Sequence, residues 1–264
     1  MTILITGSTG FVGSALVSHL LAKGHELYHP NHSQLDLTNY YEVKAYFRFH
    51  KDIDTVVHCA ISLPHRWEDR KNDEEWGKKI NGDIAMVSNL LRFASKAIIL
   101  TSGSAKKFPY SEVGWPKHII SLLCSQSPNV LELRPFGIYG PGEAKDRFPS
   151  YCLNQIVHNE PIYIVKNRKM SWIYINDLCQ IIEQFIRNGW MCNQMDVVMP
   201  EAKSMIQIAW DCMRVAKTDV DIVHIGTGLD YIGNATTLLT EIPELNFTSW
   251  EDGLRELYGT NHLL

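Results

Sequence analysis

Several features are missing from this 264-residue sequence. It has no C-x-x-C pair and no histidines clustered at metal-ligand spacing, so we expect no metal, and the six cysteines are predicted to be reduced core residues. No apolar run reaches the roughly 18 residues of a membrane span, and no charged leader precedes an apolar stretch, so we expect a cytoplasmic protein with no membrane partner. The net charge is −4, which argues against a nucleic-acid partner.

Hydrophobic residues make up 45% of the chain and charged residues 20%, which is typical of a folded protein with a sizeable core. In the first half, apolar β-branched runs alternate with amphipathic stretches. The predicted strands are residues 3–6, 26–28, 55–58, 97–101 and 130–133, and the predicted helices are residues 11–22, 40–50, 74–95 and 117–125. This alternation predicts an α/β fold with a Rossmann-like, doubly wound parallel sheet and ligands at the carboxyl ends of its strands.

From about residue 139 the alternation loosens. Predicted helices at 149–158, 176–188, 204–217 and 250–258 are joined by short predicted strands at 162–165, 172–175 and 196–199. We therefore predict a dinucleotide-binding domain over residues 1–140. A small mixed α/β substrate lobe is predicted over residues 141–264, interleaved with the last strands of the sheet.

The chain opens with a short apolar strand that turns through glycines into a helix. Gly7 permits a tight turn, Gly10 allows a pyrophosphate to approach the backbone, and Gly13 lets the helix pack closely on the strand. The helix N-terminus offers unpaired N–H groups and a partial positive charge. A glycine turn can also serve packing alone, but together with the predicted alternating fold this one predicts a dinucleotide site.

The spacing is G-x-x-G-x-x-G, with Phe11 and Val12 inside it. It resembles the extended branch of the short-chain dehydrogenase/reductase superfamily, of the NAD-dependent epimerase/dehydratase type that acts on nucleotide sugars. Residues 35–38 resemble the acidic segment that follows the family's third strand and faces the adenine, and residues 54–60 resemble its fourth strand. Asn81 resembles the residue that opens the family's long dimer-forming helix.

Residues 133–142 are similar to the family's strand and loop that border the nicotinamide. The resemblance thus implies a set of cofactor-binding residues along the first half of the chain. They are Gly7, Thr9, Gly10, Phe11, Val12, Gly13, Asp36, Leu37, Cys59, Ala60, Lys117, Pro135 and Phe136.

Later segments also resemble family landmarks. Arg147 matches the entry to the sugar-nucleotide helix, and Trp172 lies where the family often has a residue near the sugar nucleotide, so both are implied to bind substrate. Trp172 is equally well explained as a core residue. Asp177 suits an N-cap or first-turn position of a helix. Residues 249–254 match the closing helix, so the resemblance covers nearly the whole chain.

The pattern breaks at the family's catalytic residues, which are a Ser or Thr and a Y-x-x-x-K pair on one helix face. Ser102 and Ser104 follow a predicted strand, and either matches the hydroxyl position. Lys117 matches the lysine, which lowers the pKa of the tyrosine and contacts the nicotinamide ribose in the family. Val113 occupies the tyrosine position and has no proton to give. Only 13 residues (117 − 104) separate Ser104 from Lys117, fewer than the family usually has.

Three interpretations of this break stay open. The enzyme still transfers hydride and takes its proton from Tyr110, Tyr139 or His118; or it has lost catalysis and serves as a cofactor-binding regulator or partner subunit; or it works slowly with water as the acid. The candidate catalytic residues are Ser102, Ser104, Lys117 and Tyr110.

The expected activity is that of an NAD(P)-dependent nucleotide-sugar oxidoreductase. A 4-keto-sugar reductase is favoured over an epimerase because the predicted sugar lobe is short. The second predicted strand ends without an acid for a ribose 2′-hydroxyl, and His29, His32 and Ser33 follow it, which favours NADP slightly over NAD. The resemblance also implies a homodimer formed through the helices around residues 80–94 and 117–125.

Overall fold

The computed structural model describes residues 1–62 and 72–261. The chain forms two compact units. The first contains Met1–Arg134 and Ile181–Met195, and the second contains Pro135–Gln180 and Asp196–Leu264. The chain therefore enters the second unit at residue 135, and residues 181–195 return to the first. The domain boundary at residue 140 stays a prediction. Within the described residues, every helix is too short or too polar to cross a bilayer.

The first part of the chain alternates strands and helices. The strands are β1 (Thr2–Thr6), β2 (Glu26–Tyr28), β3 (Ile53–His58), β4 (Ala97–Leu100) and β5 (Val130–Pro135), and the helices are α1 (Phe11–Ala22), α2 (Tyr40–Phe49), α3 (Asp73–Leu91), α4 (Ser104–Lys107) and α5 (Gly114–Ser125). With β10 (Gln194–Val197), the strands form one six-stranded sheet in the order β10-β5-β4-β3-β1-β2. The pairs from β2 to β5 are all parallel.

The strand order reverses direction between β1 and β3. The chain moves from β1 outward to β2, then returns to place β3, β4 and β5 on the other side of β1. All five residues of β1 are buried, as expected for a central parallel strand covered on both faces. In such sheets ligands bind at the carboxyl ends of the strands where the order reverses, which is the β1–β3 edge here. This confirms the predicted Rossmann-like fold.

The remaining elements all follow β5 along the chain. They are β6 (Gly137–Tyr139), α6 (Phe148–Val157), β7 (Ile162–Ile164), β8 (Lys169–Met170), β9 (Trp172–Tyr174), α7 (Ile175–Asn188), β11 (Lys203–Ser204), α8 (Met205–Ala216), β12 (Ile222–His224), α9 (Thr236–Glu241) and α10 (Trp250–Asn261). They include three two-stranded sheets: β6 with β9, β7 with β12, and β8 with β11. α7 passes from the second unit into the first.

Two details of the family resemblance were wrong. Residues 35–38 form a turn that follows β2, because the structure has no strand between β2 and α2; residues 54–60 therefore begin in the third strand and not the fourth. Asn81 does not open the long helix. That helix begins at Asp73, where the Asn72 side chain accepts a hydrogen bond from the Glu75 amide at 2.8 Å as N-cap, and Asn81 lies exposed in its middle.

Candidate cofactor pocket and active site

The turn between β1 and α1 can be built only with glycine at two of its positions. Gly7 has φ +73°, and a Cβ there would lie 2.5 Å from the Ala60 amide nitrogen. A Cβ on Gly13 would collide with the carbonyl oxygen of Gly7. Gly10 differs, because a Cβ there would meet only that same oxygen at 3.4 Å. Gly10 is exposed and is the N-cap of α1, with no side chain capping the helix.

This arrangement leaves the first N–H groups of α1 available to an anion. A pocket of about 280 Å³ opens beside them in the first unit. It is lined by residues 6–10, 30–32 and 59–61, together with Leu35, Leu37 and Met86. The pocket therefore lies at the carboxyl ends of β1 and β3, where the strand order reverses. Its lining is largely apolar, as expected for a site that takes the flat base of a nucleotide.

One wall of the pocket is held by the segment that was predicted to face the adenine. Asp36 accepts hydrogen bonds from the amide and the hydroxyl of Thr38, at 2.9 and 2.7 Å, and the hydroxyl bond lowers the pKa of its carboxyl most. Asn89 on α3 donates to the carbonyl oxygens of Leu37 and Thr38 at 2.9 and 3.1 Å. These bonds fix the backbone that carries Leu37 into the pocket wall.

A second wall of the pocket follows β2. The Asn31 side chain accepts hydrogen bonds from the amide and the hydroxyl of Ser33, at 3.0 and 2.7 Å, and so folds the loop. His29 and His32 are exposed, and Ser8 donates to the His29 carbonyl at 3.0 Å. No carboxylate is among the described residues that line the pocket.

β4 ends beside this edge and leads into the two candidate serines. Ser102 accepts a hydrogen bond from the Ser104 amide at 3.2 Å, and Ser104 is the first residue of α4. The Ser104 hydroxyl is buried and has no hydrogen-bond partner within the described residues. On β3, His58 bonds the Thr6 hydroxyl at 2.7 Å, and burial, with a further effect of Lys117, lowers the His58 pKa to about 4. His58 is therefore neutral at pH 7.

α5 carries the candidate lysine. Val113 already has helical backbone angles, φ −87° and ψ −33°, so it lies on the same helix face as Lys117 four residues later. An apolar side chain therefore lies one turn before the lysine, and its match to the family's tyrosine stays a prediction of the resemblance. Burial lowers the pKa of Lys117, and the nearby Asp83 carboxylate acts against this shift. Asp83 is itself buried on α3 and accepts a hydrogen bond from the Ser62 amide at 2.6 Å.

The three candidate substitutes for the missing acid lie in different surroundings. Tyr110 is 87% exposed, in a tight turn where Ser111 donates to the Phe108 carbonyl at 2.8 Å. His118 is half-buried on α5. Tyr139 belongs to the second unit, where it is fully buried against Tyr174 and Trp250, and this burial raises the pKa of its phenol. A phenol in that environment is a poor proton donor at neutral pH.

Sequence reasoning missed a buried carboxylate between β4 and α5. Glu132 on β5 has no exposed surface and accepts hydrogen bonds from Thr101 at 2.5 Å and from Ser121 at 2.7 Å. Arg134 lies 3.3 Å away and donates to Gln194 at 2.8 Å. Asp83 was missed as well. An acid inside an apolar strand or on a buried helix face was the available signal, since such residues are rarely buried without partners.

Phe11 and Val12 are the first two residues of α1 in the first unit. The other candidate residues lie in the second unit. Pro135 ends β5, and Phe136 packs on Tyr231 with ring centroids 4.6 Å apart. Arg147 is the half-buried N-cap of α6. Trp172 is 3% exposed and packs edge-on to Tyr139, which places it in the core of this unit.

Two buried carboxylates also shape the second unit. Asp177 lies in the first turn of α7, as predicted, and accepts hydrogen bonds from the amide and the hydroxyl of Thr248, at 3.0 and 2.7 Å. Glu143 accepts one from the Ser150 amide at 2.9 Å, and its other oxygen has no partner among the described residues. Burial raises the Glu143 pKa to about 7.

Comparison with solved structures shows the same fold in nucleotide-sugar enzymes. The UDP-glucose 4-epimerase of Thermotoga maritima aligns with a TM-score of 0.81 at 16% identity, covering 100% of this chain and 99% of that one. The NADP-bound GDP-mannoheptose C4 reductase of Campylobacter jejuni gives 0.81 at 16% identity, over 99% and 98%. The NADP-bound GDP-L-fucose synthetase of Naegleria fowleri gives 0.80 at 14% identity, over 99% and 92%.

Sequence comparison adds a relative and a family. The chain is 24% identical to the dTDP-4-dehydro-6-deoxy-D-allose reductase of Streptomyces bikiniensis, with 81% of each sequence covered. The model of the NAD dependent epimerase/dehydratase family matches residues 3–113 and 117–193. The break in this match falls at the start of α5, between Val113 and Lys117. The match spans most of the chain, and the protein therefore belongs to the NAD dependent epimerase/dehydratase family.

Proposed function

We propose that this protein is an NAD(P)-dependent oxidoreductase acting at a keto or hydroxyl carbon of a nucleotide-linked deoxyhexose. The observation that carries the proposal is the pocket at the β1–β3 edge, in a member of this family, with the two serines after the neighbouring strand β4 and Lys117 on α5. The relatives named as reductases favour a 4-keto reductase. The brevity of the proposed substrate lobe, residues 141–264, also favours reduction, because epimerisation needs room for the sugar to turn over.

The glycine turn is proposed to hold the cofactor diphosphate. Glycine at Gly7 and Gly13 lets the turn close without collision with backbone atoms, and the α1 N-terminus supplies N–H donors and positive potential. The flanking contacts are assigned to Thr9, Phe11, Val12, Asp36, Leu37, Cys59, Ala60, Pro135 and Phe136. When bound, the nicotinamide group supplies or accepts the hydride, and this chain's residues orient the substrate and handle the proton.

The Ser104 hydroxyl is proposed to bond the reacting oxygen of the substrate, because it is buried and has no partner among the described residues. Ser102 is the alternative. Lys117 binds the nicotinamide ribose and places its positive charge where negative charge develops on that oxygen. Arg147, at the start of α6, is proposed to bind the anionic substrate. Trp172 is proposed to contribute only through the packing that surrounds it.

The proton donor is proposed to be Tyr110, His118 or water. Burial of Tyr139 removes it from the candidates. Of the two remaining side chains, Tyr110 would have to turn in from the surface when substrate binds, whereas His118 is already half-buried on the lysine-bearing helix. Tyr110→Phe and His118→Ala distinguish them, and an unchanged rate in both variants leaves water as the acid.

NADP is the proposed cofactor, in slight preference to NAD. The described pocket lining has no acid that would pair with a free ribose 2′-hydroxyl or repel a 2′-phosphate, and His32 lies on its wall. We also propose a homodimer through α3 and α5, since α5 leaves Trp115 45% and Leu122 47% exposed. The cytoplasmic location expected from the sequence stays a prediction.

A second function is favoured by one observation. The resemblance puts Val113 at the position of the family's proton donor, where the family match is interrupted, so the chain would be a cofactor-binding regulator or partner subunit if no other group replaces that donor. The test is NADPH and NADH oxidation with 4-keto-6-deoxy sugars linked to dTDP, GDP and UDP. Turnover by the natural chain supports the reductase. Cofactor binding without turnover, together with turnover by Val113→Tyr, supports the regulator.

A further inference from the structure

Glu132 is a fully buried carboxylate whose two oxygens bind two different elements of the first unit. Oε1 accepts the hydroxyl hydrogen of Thr101, and Oε2 accepts that of Ser121. Thr101 directly follows β4, and Ser121 lies on α5. The side chain therefore joins the end of a strand to the middle of a helix.

Each partner adjoins a candidate catalytic residue. Thr101 directly precedes Ser102 and stands three residues before Ser104. Ser121 stands four residues after Lys117, which puts both side chains on one face of α5. The distance between the candidate serine hydroxyls and the Lys117 ammonium group therefore depends on the end of β4 and on α5, which Glu132 holds together.

A carboxylate at this position is costly for the fold. The parallel strand around it is entirely buried, and such strands are usually apolar throughout. Burying a carboxylate costs several kcal/mol unless its oxygens are well bonded. Here two hydroxyls and Arg134 provide those bonds. A packing role alone would be served by valine or isoleucine without this cost.

We propose that Glu132 is a positioning residue that sets the separation between residues 102–104 and Lys117, and that it acts on turnover and not on cofactor binding. The effect on turnover rests on the proposed function, whereas the mechanical link does not. Small errors in the placement of catalytic groups reduce rates strongly, which gives such a residue its value.

The test is a double-mutant cycle. Thr101→Val and Ser121→Ala each remove one of the two hydroxyl hydrogen bonds to Glu132. Each variant should therefore lower kcat by about tenfold, with KM and the Kd for NADPH unchanged. Because the loss of one hydrogen bond already uncouples the end of β4 from α5, the double variant should be no slower than either single variant. Thr101→Ser keeps the hydroxyl and should keep kcat. Multiplying effects, or no loss of kcat in a chain that turns over, would overturn the proposal.

Thr55→Val is the matched control. Thr55 is buried on β3, and its hydroxyl has no hydrogen-bond partner within the described residues, so the same substitution should leave kcat unchanged.

Hydrogen exchange tests the link without any activity. Ser121→Ala should speed exchange of the amides at 102–105, and Thr101→Val should do so at 117–121, with α1 amides unchanged. If the natural chain shows no turnover, the proposed function fails and these remote changes still decide the link. Changes confined to the substituted element would overturn it. If Thr101→Val does not fold, Ser121→Ala alone decides.

Discussion

The glycine turn after β1 and the segment from β4 to α5 belong to the same unit and both follow strands of its sheet, but they differ in what they retain. The turn keeps glycine at Gly7 and Gly13, where a Cβ would collide with backbone, and leaves Gly10 open to a ligand. The other segment keeps Ser102, Ser104 and Lys117 but has an apolar side chain at Val113. In the proposed function, the turn holds the cofactor diphosphate and the segment from β4 to α5 handles the proton, whereas Lys117 serves both.

The largest expected effect is on NADPH affinity and comes from the glycine turn after β1. Gly10→Val should weaken NADPH binding by about a hundredfold or more, because the new side chain covers the N–H groups of α1. The thermal midpoint should move little, since a Cβ at this position would lie 3.4 Å from the Gly7 carbonyl oxygen and would meet no other atom closely. Fluorescence titration and thermal unfolding measure the two quantities.

Gly77→Ala is the control for this substitution, because a Cβ on Gly77 in α3 would meet nothing within 4 Å. Unchanged NADPH affinity in Gly10→Val would remove the turn from the cofactor site.

The next largest effect is on kcat and comes from the segment between β4 and α5. Val113→Tyr places a phenol one helical turn before Lys117, so kcat for a 4-keto sugar nucleotide should rise by about ten- to a hundredfold. Val113→Phe adds the same ring without the hydroxyl and should give no gain. Steady-state NADPH oxidation measures both. A gain with phenylalanine would show that packing and not proton transfer limits the rate.

A smaller effect is expected on the preference of the pocket for NADPH over NADH. Asn31→Asp adds a carboxylate to the pocket wall, which should repel the 2′-phosphate and lower NADPH affinity about tenfold, with NADH affinity equal or higher. Asn31→Ser adds no charge and controls for loss of the hydrogen bonds to Ser33. An equal loss for both cofactors in Asn31→Asp would place the ribose elsewhere.

The smallest effect on activity is expected from changes in the second unit. There the buried Glu143 carboxyl makes the free energy of unfolding depend on pH. Its pKa rises from 4.5 to about 7 on folding, so the folded chain binds the proton more tightly than the unfolded chain. Stability should fall as pH rises from about 4.5 to 7, by up to about 3 kcal/mol, and stay low above it. Urea unfolding at pH 5 and pH 8 measures this loss.

Glu143→Gln removes the titration and should remove this contribution, with little change in activity. Glu160→Gln, at an exposed glutamate of the same unit, should keep the natural pH dependence. An identical pH dependence in the natural chain and Glu143→Gln would show that the carboxyl reaches water.

The sequence predicts local structure well where one pattern determines it. α1 and β2 have the predicted bounds, and the tight turn predicted at Gly7 has φ +73° there. α4 was not predicted because four residues are too few to show a helical period, and β12 was not predicted because its residues are largely exposed and show no buried alternation. Glu132 and Asp83 were missed because their partners lie 11 to 31 residues away along the chain, where no local spacing indicates a contact.

The central claim is that the turn from β1 to α1 seats a nicotinamide dinucleotide. Titration of the full chain with NADPH and with NADH, followed by cofactor fluorescence on folded protein, tests it most directly. Saturable binding of at least one of them, lost in Gly10→Val, is the predicted result. A folded chain with no affinity for either cofactor, reduced or oxidised, would contradict the account.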